Sequence, residues 1–217
     1  AYGQELADLT VKAFEYADKY RTPVMILVDG MMGQMMEPVV LPEPINLNEL
    51  PPKPWILDGA DGRPSRIIKS LILDTMEMEE HNWKLARKYQ IISREIVSAE
   101  SYMTKDVKLV VVAYGTAARV AKGGIKRARE MGLKVGLLRP ITLMPYPERI
   151  IREMSRSVKD FLVLEMNTGQ MLDDVKLSLE GRSNVHFYGR PGGIVSTPDE
   201  IAKVITSLYY RQHLEED

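Results

Sequence analysis

Residues 108–132 read KLVVVAYGTAARVAKGGIKRAREMG, and the fold is decided there. Lys108 to Ala113 is a short, nearly unbroken apolar run, which predicts a strand buried on both faces. Tyr114-Gly115-Thr116 interrupts it. Thr116 to Met131 then predicts a helix closed by Gly132, the residue that most readily takes the left-handed conformation just past a helix end.

The rhythm repeats downstream. Lys134 to Leu138 is a second strand, and Pro147 opens a helix through Val158, at a position where proline loses no hydrogen bond. Asp160 to Glu165 is a third strand, Gln170 to Leu179 a third helix, and Val185 to Tyr188 a fourth strand. The last helix starts at Thr197-Pro198-Asp199-Glu200, a capping box with acids in its first turn, and buries Ile201, Val204, Ile205 and Leu208. Four strand–helix alternations imply an α/β fold, an open and mostly parallel sheet with helices on both faces, over residues 107–217.

The upstream half is organised differently. Leu6, Leu9, Ala13, Tyr16 and Tyr20 recur at helical spacing, and this helix stops before Thr22-Pro23 because proline disfavours helix in the residue before it. Val24 to Val28 reads as a buried strand running into Asp29-Gly30. A lone helix and strand cannot make a domain, so residues 1–37 are expected to be the end of a first α/β domain. Residues 38–106 are expected to connect the two. Seven prolines, at 38, 42, 44, 51, 52, 54 and 64, predict an extended surface connector, with Trp55 and Ile56 as anchors. Residues 63–80 read as a loop with a short helix. From His81 to Met103 a long helix is predicted, with an apolar seam of Leu85, Tyr89, Ile92, Ile96, Ala99 and Met103 against its own domain or a partner subunit.

Bulk properties narrow the function. The net charge of −1 over 217 residues gives no overall attraction for nucleic acid or anionic membranes, and no signal peptide or bilayer-length apolar run is visible. The expectation is a cytoplasmic protein. With no cysteine in the chain, it has no disulfide, no thiol nucleophile and no thiolate ligand for an iron–sulfur cluster. His81, His186 and His213 lack zinc-ligand spacing.

In open parallel sheets, ligands meet the loops that leave the carboxyl ends of the strands. Here those loops carry Gly115 and Thr116, Arg139 and Thr142, Glu165, Asn167 and Gln170, and Arg190 and Gly192. Gly115 permits close backbone approach, and the free N–H groups beside it can hold an anion. The guanidinium forks of Arg139 and Arg190 suit carboxylate or phosphate, and Asn167 and Gln170 offer donors and acceptors. Two readings stay open. The edge binds phosphate or substrate, as even a stand-alone nucleotide-binding module would, or the charged groups pair among themselves and with an adjoining domain. No dinucleotide fingerprint or P-loop is present. Asp29, Gln34, Met35 and Glu37, with neighbouring methionines, form a loop suited to packing against another domain.

Six segments, in order, resemble a known family: Asp29-Gly30; Gly33-Gln34-Met35-Met36-Glu37-Pro38; Val112-Ala113-Tyr114-Gly115-Thr116; Leu138-Arg139-Pro140-Ile141-Thr142-Leu143; Glu165-Met166-Asn167-Thr168-Gly169-Gln170-Met171; and Tyr188-Gly189-Arg190-Pro191-Gly192-Gly193. Together they are similar to the large subunit of the 2-oxoacid:ferredoxin oxidoreductases, in its pyrimidine-side thiamine domain and the transketolase-C-terminal-like domain that follows. Lys53-Pro54-Trp55 and Glu79-Glu80-His81-Asn82 most resemble the 2-oxoisovalerate type, with the 2-oxoglutarate type close behind.

The resemblance implies oxidative decarboxylation of a 2-oxoacid to an acyl-CoA, with electrons passing through iron–sulfur clusters to ferredoxin. It places the glutamate that activates thiamine diphosphate before Ala1, and the cluster ligands and other half of the thiamine site in partner subunits. This chain is therefore expected to bind none of thiamine diphosphate, CoA or iron–sulfur cluster by itself, to contribute interface more than chemistry, and to dimerise.

Overall fold

The computed structural model describes residues 2–213, with the side chains of 47, 212 and 213 and residues 1 and 214–217 outside the description, so that the side chain of His213 and the end of the expected domain are not placed. The chain divides into two compact units. One comprises Tyr2, Val28–Met36 and the chain from Ser93 onward; the other comprises Gly3–Leu27 and Glu37–Ile92.

The first unit is built on a sheet of five strands among the described residues: β1 (Ala99–Tyr102), β2 (Leu109–Val112), β3 (Val135–Pro140), β4 (Asp160–Glu165) and β5 (Asn184–Gly189), in the order β1-β3-β2-β4-β5. β2 to β5 run parallel, and β1 lies antiparallel on the edge beside β3. The apolar runs are continuous because both faces are covered. Leu109, Val111, Leu162 and Leu164 face α4 (Gly115–Glu130) and α7 (Pro198–His213), whereas Val110, Val112, Phe161 and Val163 face α5 (Glu148–Met154) and α6 (Gln170–Leu179). Each helix ends or starts as the residues dictate. Gly132 takes φ +86 just past α4. At α7 the capping box forms in both directions: the Glu200 amide donates to Thr197 Oγ1 at 3.2 Å and the Thr197 amide to Glu200 Oε2 at 3.4 Å.

The long helix lies elsewhere than its seam suggested. α3 spans Thr75–Glu95, beginning where Asp74 Oδ1 accepts from the Met76 and Glu77 amides, both at 3.0 Å. The chain past Ser98, predicted as the helix end, is instead strand β1, with Glu100 opposite Arg139 and Tyr102 opposite Leu137. Pairing with the open edge of β3 satisfies backbone groups that a further helical turn would leave in water. The predicted strand Val24 to Val28 forms no ladder. No strand pairs with it among the described residues, and its side chains stand exposed, Met25 at 80%. A parallel strand exists only through its neighbours, so the apolar run alone could not fix one.

In the second unit, α1 (Gly3–Tyr20) carries the predicted amphipathic helix, with Tyr20 buried. The proline-rich segment is irregular apart from one 3-10 turn, Leu47–Glu49. It is tied to α1 by backbone and side-chain bonds: the Gly3 amide donates to Glu37 Oε2 at 2.6 Å, and Gln4 exchanges two bonds with Val40, at 2.8 and 2.9 Å. Of the two expected anchors, Trp55 lies under the Arg21 guanidinium at 5.4 Å from the ring centroid, while Ile56 is exposed.

α4 and α7 cross at Gly124, where an added Cβ would stand 2.8 Å from Ile201 Cγ2 and 3.1 Å from the Pro198 carbonyl oxygen. Gly124→Ala should therefore push the helices apart despite its better helix propensity, lowering stability by about 1–3 kcal/mol. Chemical denaturation of wild type and variant checks this, and an unchanged or raised midpoint would refute it.

Candidate functional site at the carboxyl ends of the strands

The strand order makes the junction of β2 and β4 a switch point, with β2 leading to a helix on one face and β4 to a helix on the other. Crevices at such points bind ligands because helix N-termini converge there. Here both N-termini already hold a carboxylate from the chain itself. Asp29 Oδ1 accepts from the Met32 amide at 3.0 Å, capping the short helix α2 (Gly30–Gln34), and from the Thr116 hydroxyl at 3.0 Å; Asp29 Oδ2 accepts from the Thr116 amide at 3.2 Å. One side chain thus ties together segments 87 residues apart. Gly115, at φ +57, brings the backbone under this carboxylate, and a Cβ there would lie 3.3 Å from Asp29 Oδ2. Burial alone would raise the Asp29 carboxyl; the bonds from Met32, Thr116 and Met31 overcome it and hold it below the ordinary carboxylate range.

Glu165 does the same for α6. Buried at the end of β4, it accepts from the Met171 and Leu172 amides at 2.9 and 3.0 Å. Asn167 Oδ1 turns the intervening loop by accepting from the Gly169 and Gln170 amides at 2.7 and 3.2 Å. The Gln170 side chain is exposed.

The two arginines are also committed. Arg139 is buried and donates through Nε to Glu100 Oε2 at 2.7 Å, while Glu100 Oε1 receives Lys122 Nζ at 2.5 Å. Burial opposes ionisation of Glu100, and Lys122 and Arg139 outweigh it, so its carboxyl also sits below the usual range. Thr142 is used structurally: its Oγ1 accepts from the Ser98 amide at 3.0 Å and its own amide donates to the Ser98 carbonyl at 3.1 Å. Arg190 donates to Glu200, which the Tyr188 hydroxyl also bonds. Gly192, at φ +84, and Gly193 make the turn between that pair and α7. A cavity at this edge, lined by residues including Glu165, Met166 and Arg190, measures about 10 Å³. That is room for one water, far below the several hundred Å³ of a nucleotide pocket. The cavity beside Glu165 and Arg190 therefore has no room for a nucleotide. Asp29 and Glu165 already fill the anion positions it would need.

The loop of methionines divides between the units. Met35 Sδ lies 4.0 Å from Arg119 Nη1 in the first unit, which also contains Asp29 and the exposed Gln34, whereas Glu37 belongs to the second, on the Gly3 amide. Residue reasoning missed Glu100, which has no local signature because only the β1–β3 register brings it to Arg139. The Asp29 cap was readable, since an aspartate heading a turn of Gly-Met-Met fits an N-cap. Tyr146, also missed, has a buried hydroxyl with no hydrogen-bond partner among the described residues. Burial raises this phenol, and the carboxylates of Asp174 and Glu165 and the neighbouring Tyr114 add to the effect, so it stays protonated.

Known proteins similar to this chain identify its family. Residues 107–201 match the family model described as pyruvate:ferredoxin oxidoreductase core domain II. Residues 2–103 match the pyruvate flavodoxin/ferredoxin oxidoreductase, thiamine diphosphate-binding model. The chain is 42% identical, over 93% of its length, to a ketoisovalerate oxidoreductase subunit VorB from Methanothermobacter marburgensis, of which it covers 57%. It is 30% identical, over 94% of its length, to a 2-oxoglutarate synthase subunit KorA from Methanothermobacter thermautotrophicus, of which it covers 61%. The chain thus spans less than two thirds of these curated relatives. Among solved structures, a 2-oxoglutarate:ferredoxin oxidoreductase from Magnetococcus marinus, with 2-oxoglutarate, coenzyme A and succinyl-CoA bound, shares the fold with a TM-score of 0.53 at 19% identity, over 63% of this chain and 24% of that one.

Among the described residues no group of three His, Asp or Glu stands together as a candidate metal site. Asp29, the acidic residue at the head of the loop, is spent on two helix N-termini.

Two stability predictions follow from this edge. Asp29→Asn keeps one acceptor for Met32 but loses the charge-assisted bonds to Thr116, and should cost about 1 kcal/mol near neutrality. Because the folded carboxyl lies below its unfolded value of 3.8, its contribution is complete above that value and fades as pH falls through the folded pKa. The gap between wild type and variant, measured by denaturation from pH 7 downward, should therefore close only below about 3.8. Tyr146→Phe removes a hydroxyl that bonds nothing described, so stability should stay level or rise by up to about 1 kcal/mol; a loss of that size would show that the hydroxyl has a partner.

Proposed function

Because the chain belongs to the 2-oxoacid:ferredoxin oxidoreductase family, we propose that it is part of a subunit of a thiamine diphosphate-dependent enzyme that oxidatively decarboxylates 2-oxoisovalerate. In this reaction the carboxylate carbon leaves as carbon dioxide, the acyl group passes to CoA, and the electron pair goes through iron–sulfur clusters to ferredoxin. The observation that carries the reading is the 42% identity to a ketoisovalerate oxidoreductase subunit over nearly the whole chain, against 30% for a 2-oxoglutarate synthase subunit.

The geometry supports a supporting role for this portion. Asp29, Glu165, Arg139 and Arg190 are each engaged within the first unit, so its strand-end loops are stiffened for holding neighbours rather than left open for chemistry. We place the thiamine-activating carboxylate and the iron–sulfur ligands outside these residues, the clusters in partner subunits, since no cysteine is present. Residues 1–37 end the pyrimidine-side domain, 38–106 connect, and 107–217 form the transketolase-C-terminal-like domain. The assembly works in the cytoplasm and self-associates through this subunit.

The test uses the complete subunit co-expressed with its partners, with CoA-dependent reduction of ferredoxin followed spectroscopically. The expected result is a kcat/KM for 2-oxoisovalerate at least tenfold above that for 2-oxoglutarate or pyruvate, roughly what one or two contacts to a branched side chain supply. Preference for 2-oxoglutarate would overturn the substrate assignment. The 217-residue chain alone should show no turnover and no calorimetric heat with thiamine diphosphate and magnesium; binding would overturn the supporting role.

A further inference from the structure

α3 has two faces. Met78, His81, Leu85, Lys88 and Ile92 turn toward their own unit, and Ile92 is buried. The opposite face presents Met76, Glu80, Trp83, Arg87 and Ile91, at spacings of four, three, four and four, which keeps them on one stripe. All five are exposed, Met76 at 78% and Trp83 at 59%, and a groove along the stripe is lined by Met76, Glu79, Glu80, Trp83 and Arg87. Neither Glu80 nor Arg87 has an ion-pair partner among the described residues, although several oppositely charged groups lie on the same helix.

The distribution of charge along the solvent-facing part of α3 is polar. Glu77, Glu79 and Glu80 lie before Trp83, and Lys84 and Arg87 after it. Such a helix is complementary to itself in one direction only. A parallel copy would set Glu80 against Glu80 and Arg87 against Arg87. An antiparallel copy, with its two-fold axis passing midway between Trp83 and Lys84, sets Glu80 against Arg87 and Arg87 against Glu80. It also stacks Met76 on Ile91 at both ends and brings the two Trp83 rings together at the centre. Glu80 and Arg87 are two turns apart, about 10 Å along the axis, so both pairs form at once across helices packed 8–10 Å apart.

We propose that the outer face of α3 docks on the same face of a second copy of this chain, antiparallel and two-fold symmetric. Trp83 supplies the apolar centre, and the paired Glu80–Arg87 contacts fix the direction. This names the surface for the self-association proposed above and does not depend on which 2-oxoacid is the substrate.

Sedimentation equilibrium of the complete subunit and of its Glu80→Arg and Arg87→Glu variants tests it. Both substitutions are on an exposed helix surface and leave the fold intact, which circular dichroism verifies. The wild-type subunit should be dimeric. Each variant alone should be at least tenfold weaker in self-association, because like charges then face each other twice. An equimolar mixture of the two variants should recover the dimer, since every pair again joins opposite charges; no docking of α3 on an unrelated surface would give that rescue. Dimerisation unaffected by either variant would overturn the α3 interface and leave self-association by another surface. A monomeric wild-type subunit would overturn both, and neither outcome bears on the substrate reading.

Discussion

A parallel sheet delivers every strand's carboxyl end, and the N-terminus of the helix that follows, to one edge. The exposed amides and dipoles collected there are positive and need anions. Much of what is specific about this chain answers that requirement from within. Asp29 serves α4 and α2, Glu165 serves α6, Glu200 serves α7 through the Thr197 box, and Glu148 lies in the first turn of α5. In a nucleotide-binding sheet a ligand phosphate takes this place; here carboxylates from strand ends and loops do.

That substitution also explains the arginines. Once carboxylates hold the helix ends, a guanidinium nearby has acidic partners of its own. Arg190 joins Glu200, and Arg139 finds Glu100 on the antiparallel edge strand, with Lys122 of α4 completing a chain of alternating charge. A buried ion pair adds little net stability but sharply penalises any arrangement that breaks it. The Arg139–Glu100 pair therefore acts on register: sliding β1 along β3 would take the Glu100 carboxylate from a buried guanidinium.

The parts legible in the sequence were those set by local chemistry. Doubly buried strands show as apolar runs, α7 shows as a capping box, and the end of α4 shows as a glycine, and all three stand where the residues put them. The parts that were not legible depend on partners distant in the chain. Val24 to Val28 has strand composition but no ladder, and residues 99–102 continue a helical spacing yet pair with β3 because an open edge is available. The candidate loops follow the carboxyl ends of neighbouring strands, but their loop chemistry alone could not say whether an arginine faces ligand or neighbour. That depended on Glu100, whose position only the sheet register reveals.

Loops at a sheet edge can be built for chemistry or for holding a neighbour. A loop that must carry chemistry needs groups left unsatisfied until substrate arrives, and holding them so costs stability. Loops that must hold a neighbouring domain in place need the reverse: every charge paired internally, so that the surface offered is rigid and its shape, rather than loose side chains, does the recognising. Asp29 illustrates the second case most directly. Its carboxylate clamps the loop of Met31, Met32 and Met35 to the start of α4, so a methionine-rich surface that could repack against many shapes is held to one.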